Sequence, residues 1–567
     1  MSKKLLSLVL SFVLLFTLAI VSASASAESN LIRQTIYGSI EGQINEKNHS
    51  LEWLGVPYAK PPVENLRWRA PQDLEKWSDT KNTTKYAPRS IQMGGGKIIG
   101  SEDCLYLNVY RPNTSTVNLP VLFFLHGGNN QVGAGESFDG SLFSTETETV
   151  VVTVNTRLNA LGFLSIDAIK TGNELEDSGN FGLLDINKAL GWVRDNIKEF
   201  GGNPDNITVC GFSSGARNTL CMTISPLFKE KFHKAIFLCG GMTTMDPEIS
   251  AQIATKALAS LVIEDKIAVT DAEAIKWLNT ATPEVKQYLM SIKADRFAKL
   301  MADANIRMSI FPHLFEDGIV IPKGGFNAIQ TGNYSKVPMI FTSGLNEFKS
   351  KANDDMYFKD LDANINNPQK ATEYTFTTKY GDLLFGYINA EQNAIAYSSI
   401  SGQPPVYASR MLWGDNADIV GEKGKILVGG GHGMDFYLLQ NQAPSAYTVS
   451  DEIFSPSNEQ GRYDLGRMIR AYFANFMRTG NPNGSSLPEW KPWSNIENEP
   501  KILLFDADKT KATAIMTSKY TVETDVFQQI LTDKTLSDDK RDFLVENILN
   551  ERFFSKNLDQ FWAKTKK

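Results

Sequence analysis

The chain has 567 residues, with 57 Lys plus Arg against 64 Asp plus Glu. A formal charge of -7 at this length excludes a broad basic face for nucleic acid. Hydrophobic residues make up 42% and charged residues 21%, which excludes wholesale disorder, and four cysteines exclude a dense disulfide scaffold.

The first element is a leader. Met1 to Lys4 is basic, Leu5 to Val21 is almost wholly apolar, and a run of small residues ends in Ala25-Ser26-Ala27. That order predicts a secretory signal over residues 1–27, cleaved after Ala27, in preference to an uncleaved membrane anchor. Lys3 and Lys4 leave with it, so the mature chain is more acidic. No later segment is long and apolar enough to span a bilayer. The expectation is an exported protein, secreted or periplasmic, without stable membrane association. Residues 28–567 show no composition break and read as a single domain.

Short apolar, β-branched runs follow in order: Val121 to Leu125, Val150 to Val154, Ile207 to Cys210, Lys234 to Cys239 and Pro338 to Thr342. Runs apolar on both faces suit central strands of a mostly parallel sheet. Between them, Asp185 to Phe200 has Leu190, Val193 and Ile197 at helical spacing. The alternation predicts an α/β fold, a large mostly parallel sheet flanked by helices. Residues 247–305 read as a helical, lid-like insertion near the active site, with a capping box at Thr270 and Glu273. The stretch from 520 onward also reads as helical and charged. Cys104, Cys210, Cys221 and Cys239 are expected as buried thiols. No C-x-x-C pair exists and histidine is sparse, so neither metal nor cofactor is expected.

Gly211-Phe212-Ser213-Ser214-Gly215 carries the chemistry. A G-x-S-x-G match alone is weak, since chance supplies roughly 0.2 in a chain this long. Its setting is the signal, with a strand running in and a helix able to start at Gly215. Strand, turn and helix make a nucleophile elbow, which lifts the Ser213 hydroxyl above the sheet on a strained turn.

A serine hydroxyl needs a base within hydrogen-bond reach. The histidines are His49, His126, His233, His313 and His432. His432 sits in Gly429-Gly430-Gly431-His432-Gly433, after an apolar run and after the nucleophile in the chain, and is the expected base. A carboxylate must fix its tautomer. Glu347, just past the strand Pro338 to Thr342, is the leading candidate. Asp317 is the rival but reads as a turn residue, and Asp435 is too close to His432 in sequence. His126-Gly127-Gly128-Asn129 follows the first central strand, so the N–H groups of Gly128 and Asn129, with that of Ser214, are the expected oxyanion hole.

Many further motifs share one pattern. They run from Gly55-Val56-Pro57-Tyr58-Ala59-Lys60-Pro61-Pro62 and Leu66-Arg67-Trp68, through Ser101-Glu102-Asp103-Cys104-Leu105-Tyr106-Leu107-Asn108-Val109 and Asn155-Thr156-Arg157-Leu158. Gly179-Asn180-Phe181-Gly182-Leu183-Leu184-Asp185, Phe200-Gly201-Gly202-Asn203-Pro204 and Arg478-Thr479-Gly480-Asn481-Pro482-Asn483 complete them. From about Gly38 to Phe505 the chain resembles the type-B carboxylesterases, a cholinesterase-like family with the α/β-hydrolase fold. The resemblance implies the same three residues, Ser213, Glu347 and His432, and an ion pair between Arg67 and Glu102.

Departures from the family pattern are informative. Phe212 and Ser214 stand where relatives have Glu and Ala. Cys239-Gly240-Gly241 replaces Ser-Gly-Ser, so the surroundings of the histidine lose a carboxylate and a hydroxyl. Asn129 stands where Gly or Ala is common. Ser90 occupies the place of the cysteine expected to pair with Cys104, and no tryptophan lies between them. The aromatic platform that cholinesterases offer a quaternary ammonium is absent from that segment. The resemblance thus implies a serine hydrolase of small neutral carboxylic esters acting through an acyl-enzyme. Amidase, thioesterase or lipase action on the same triad is the alternative, and a non-catalytic adhesion protein is disfavoured by the intact Ser213.

Overall fold

A computed structural model describes residues 31–443 and 449–566. The expected leader over 1–27 lies outside them. Eleven strands form one sheet, numbered within it as β1 (Gln43–Asn45), β2 (Ser50–Pro57), β3 (Tyr106–Pro112), β4 (Leu119–Leu125), β5 (Val150–Val154), β6 (Gly202–Phe212), β7 (Lys234–Leu238), β8 (Met339–Gly344), β9 (Val406–Met411), β10 (Ile502–Ala507) and β11 (Ala512–Thr517). Their order is β11-β10-β9-β8-β7-β6-β4-β5-β3-β2-β1. All neighbours from β5 through β10 are parallel, and antiparallel strands finish both edges. The fold is that of an α/β-hydrolase.

The central strands are buried on both faces, as their unbroken apolar runs require. Along β4, Val121, Phe123 and Leu125 join one core cluster while Leu122 and Phe124 join the other. That is the period-2 alternation of a strand covered on both sides. β6 is longer than its apolar part and takes in the polar Asn203 to Asn206, with a register shift between Gly202 and Ile207.

Helices Pro247–Glu264, Asp271–Leu278, Pro283–Ser291 and Ala294–Lys299 occupy the expected insertion, and the Thr270/Glu273 capping box forms. These helices bury Leu258, Val262, Leu289 and Phe297 in a main core cluster and so pack onto the body of the fold. Arg67 fastens them. It makes a two-pronged pair with Glu102, 2.8 Å on each prong, and its third nitrogen donates to the Ile292 carbonyl at 2.7 Å. A second buried pair, Arg157 with Asp185, explains why those two motif positions occur together.

The C-terminal helices Glu523–Thr532, Asp538–Leu544 and Lys556–Thr565 are charged outside but bury Phe527, Leu544, Leu558 and Trp562. All four cysteines are buried free thiols. Among the described residues no helix is long and apolar enough to cross a membrane.

Candidate active site

Side chains gather at the carboxyl ends of β4, β6, β7 and β8, where an open α/β sheet presents its crevice. β6 runs into Ser213, whose φ of 54° and ψ of -116° are strained for a residue with a side chain. The strain is sustained from several sides. Ser213 N–H donates to the Leu238 carbonyl at 2.8 Å, and the helix Ser214–Ile224 begins at the next residue. A Cβ on Gly211 would lie 2.2 Å from the Gly215 backbone, and one on Gly215 would lie 2.2 Å from the Leu125 carbonyl. Both glycines are therefore obligatory.

His432 Nε2 lies 2.9 Å from Ser213 Oγ, and its Nδ1 is hydrogen-bonded to Glu347 Oε2. Glu347 is fully buried, and its other oxygen accepts the Gly344 N–H. A one-pair parallel bridge between Asn346 and Gly431 brings the two loops together. Other histidines sit in different settings. His126 is buried, which pulls its imidazole down to about 4, and His313 is driven well below its ordinary value by burial. His233 Nδ1 accepts the Ile207 N–H at 3.0 Å.

Asp317, the rival carboxylate, accepts the N–H groups of Ile319, Val320 and Ile321 and is a turn residue. Asp435 accepts from Thr342 Oγ1 and, at 3.7 Å, from the Cys239 thiol. Burial, and then the charge of Glu347, raise Asp435 above the usual carboxylate range. So the surroundings of the triad keep one carboxylate that the reading of lost polar groups did not count. The sulfur of Cys239 lies within 4.8 Å of the ligand atoms of Glu347 and His432, but burial pushes the thiol well up, so it remains protonated.

The imidazole is held by rings. Phe212 lies on one flank, 5.3 Å between centroids, and Phe385 stacks at 5.2 Å. Phe212 in turn stacks on Phe436 at 4.6 Å. A Cβ on Gly241 would meet the Ile388 carbonyl at 2.5 Å, so the space there borders Ile388 and not Phe212. The residue that makes room for Phe212 is Gly433, where a Cβ would lie 2.4 Å from the ring. The two departures are thus independent. Phe385, near the end of the helix Pro368–Gly386, carried no signal in the sequence.

The loop after β4 turns tightly. The Gly128 carbonyl accepts the N–H groups of Gln131 and Val132, both at 3.0 Å. A trans peptide sets N–H opposite C=O, so the Asn129 N–H faces away from that turn. Gly128 has φ +110°, and a Cβ there would lie 2.0 Å from the Val132 carbonyl. Gly128, Asn129, Ser213 and His432 line one cavity of about 990 Å³. Its farther wall carries Asp303, Arg307, Lys351, Asp354, Asp355 and Lys359, charges of both signs. The 247–305 insertion reaches this cavity only at its end, through Ala302, Asp303 and Asn305.

Residues 29–398 match the model of the carboxylesterase family. Carboxylesterase 1D of Mus musculus is 31% identical, over 82% of this chain and 89% of the relative. Liver carboxylesterase 1 of Oryctolagus cuniculus is 29% identical, with 82% and 88% covered. A solved PNB esterase superposes with a TM-score of 0.63 at 26% identity, covering 86% of this chain and 97% of its own. The Geobacillus stearothermophilus carboxylesterase EST55 gives 0.67 at 24% identity, covering 86% and 98%, which speaks to the fold alone.

Proposed function

The chain belongs to the carboxylesterase family, and we propose that it hydrolyses neutral carboxylic esters through an acyl-enzyme on Ser213. The reading rests above all on one observation, the continuous hydrogen-bond chain Ser213–His432–Glu347 opening into the cavity.

Ser213 Oγ attacks the ester carbonyl as His432 Nε2 takes its proton. Glu347 holds the imidazole by Nδ1 and stabilises the imidazolium. The N–H groups of Gly128, Asn129 and Ser214 receive the oxyanion. Collapse of the tetrahedral intermediate returns the proton to the leaving alcohol and leaves an ester on Ser213. Water, activated by the same imidazole, then releases the acid. The flanking rings of Phe212 and Phe385 favour the imidazolium as it forms, since aromatic faces attract cations. The basic, apolar and small-residue order of residues 1–27 supports export.

A fluorophosphonate probe tests the reading. It should attach irreversibly to Ser213, with peptide mass spectrometry separating Ser213 from Ser214. Label on Ser214, or on no serine, would overturn it.

A further inference from the structure

Arg217 stands four residues after Ser213 on the helix Ser214–Ile224, and it is 1% exposed. No carboxylate pairs with it among the described residues. Its partners are Asn129 Oδ1, which accepts from Nη2 at 2.6 Å, the Met308 sulfur 3.9 Å from Nη1, and the Phe553 ring 4.8 Å from the guanidinium. Burial pulls the guanidinium down to about 10, which still leaves it charged at neutral pH. A buried cation without a counter-ion is costly. What it supplies is a positive charge and, through Nη2, a hydrogen bond.

Both converge on the loop after β4. Asn129 and Asn130 each have φ of 56°, a left-handed conformation that Asn tolerates. Asn130 and Asn218 exchange two amide hydrogen bonds, of 2.9 and 2.8 Å. Loop residues 129 and 130 are thus joined, rung for rung, to helix residues 217 and 218. The Arg217 N–H itself donates to the Ser213 carbonyl at 3.1 Å. Nucleophile and loop are thereby bound into one unit, with Met308 and Phe553 closing over the guanidinium.

We propose that Arg217 is a positioning residue for ester hydrolysis: through Asn129 it fixes the oxyanion loop against the nucleophile's helix, and it lends that loop an uncancelled positive charge. The proposal rests on Ser213 as nucleophile and Asn129 as an oxyanion donor. The Asn129 N–H is set opposite the Gly128 carbonyl, which two hydrogen bonds hold, so what the bond from Arg217 to the Asn129 side chain fixes is the position of that whole turn relative to the nucleophile's helix. A positive charge behind the donor also favours a transition state in which the carbonyl oxygen turns anionic, more than the neutral ground state.

The test compares Arg217→Met, Arg217→Lys and Asn129→Gly, singly and with Arg217→Met and Asn129→Gly combined. Readouts are kcat and KM on a nitrophenyl ester, and inhibition by a trifluoromethyl ketone and by its methyl ketone counterpart. The fluorinated ketone forms an oxyanion adduct on the serine, whereas the methyl ketone reports ground-state fit. Arg217→Met should lower kcat roughly 30- to 100-fold, somewhat less than outright removal of a donor, with KM within about threefold. The trifluoromethyl ketone should weaken in proportion and the methyl ketone should not. Arg217→Lys should recover part of the loss, and the double variant should be little worse than the poorer single one. A lower Tm with unchanged kcat and unchanged ketone discrimination would overturn the proposal, as would additive losses. If Arg217→Met does not fold, Asn129→Gly decides: a roughly 10-fold kcat loss with the same ketone split is expected, and wild-type kinetics would overturn the proposal. Probe labelling separates the two levels. Wild-type protein unlabelled at Ser213 sinks the nucleophile assignment and this proposal together; normal labelling with wild-type kinetics in Asn129→Gly and Arg217→Met sinks only the role of Arg217.

Discussion

Two loops converge on Ser213, residues 126–132 and 429–433, and the groups they present are held in different ways. The first is tied by directional hydrogen bonds: Asn129 to Arg217, Asn130 to Asn218, and the Gly128 carbonyl to two N–H groups. The second is also tied by hydrogen bonds, since Asn346 N–H donates to the Gly430 carbonyl at 2.9 Å and Asn346 Oδ1 accepts the Gly430 N–H at 3.1 Å, but it adds the rings of Phe212 and Phe385 packed against its histidine. Each material suits its task. An oxyanion hole, the role proposed for the first loop, needs N–H vectors fixed to within a fraction of an ångström, which hydrogen bonds specify and dispersion contacts do not. An imidazole needs its plane fixed while both nitrogens stay committed to Ser213 and Glu347. Rings pressed on its flanks do that without competing for either nitrogen.

The sharpest way to break the comparison is at the nitrogens. Ser213→Ala and His432→Ala should each lower kcat by about 10⁵–10⁶, and the double variant should be little worse, because the residues act as one unit. Glu347→Gln should keep the fold and lose about 10⁴ in kcat through the wrong tautomer. These losses should exceed anything seen on the oxyanion side. Near-normal turnover in Glu347→Gln would mean that the rings alone hold a productive imidazole.

The next effect tests the aromatic flank. Phe212→Glu removes the stack on Phe436 and puts a carboxylate against Gly433 and His432. Folding should weaken by about 2–4 kcal/mol, from lost packing together with a half-buried charge. Burial should raise the new carboxyl above its unfolded value near 4. The folded state then holds its proton longer, so the deficit is smallest below about pH 4 and grows as pH rises to the folded value. Denaturant midpoints at pH 4 and pH 8 measure this. A stable variant with no pH dependence would show that position 212 opens freely to water.

Much of this site was legible because its chemistry is local. Ser213 with its two obligatory glycines, His432 in its glycine loop and Glu347 past a strand each sit beside a backbone signature that a short window contains. The strands β4 and β5 were legible from unbroken apolar runs. The polar start of β6 was not, since nothing in Asn203 to Asn206 reads as buried strand. Long-range contacts left no trace either. Phe385 reaches His432 from a helix whose own pattern is featureless, and Phe553 covers Arg217 from near the C-terminus. The replacement of Glu by Phe at 212 was visible as a departure, but its neighbour Gly433 became evident only once two loops distant in sequence were brought together.

The smallest effect concerns substrate charge, and it asks whether the ring-lined flank doubles as a cation site. Phe212 and Phe385 lie against the imidazole, and among the described residues Tyr437 is the other aromatic lining the cavity, with no tryptophan there. The farther wall sets Arg307, Lys351 and Lys359 against Asp303, Asp354 and Asp355, and Arg307 lies 3.7 Å from Asp355. Among the described residues a quaternary ammonium therefore finds no tryptophan platform and no net negative wall. A cation–π contact is worth about 0.5–2 kcal/mol, so its absence amounts to roughly 2- to 30-fold in kcat/KM. Neutral acetate or butyrate esters should accordingly be hydrolysed with higher kcat/KM than choline esters of the same acyl group. The acidic chain complicates the comparison at low salt, because long-range attraction steers cations toward it whatever the pocket contains. At an ionic strength where the Debye length falls to a few ångström that steering is gone, while a contact inside the cavity survives. The matched pair is therefore measured at low and at high salt. A choline preference that fades with salt belongs to the surface and leaves the pocket assignment intact. One that persists at high salt would place a cation site among Asp303, Asp354 and Asp355, and would mean that the charged wall, not the aromatic flank, selects the substrate.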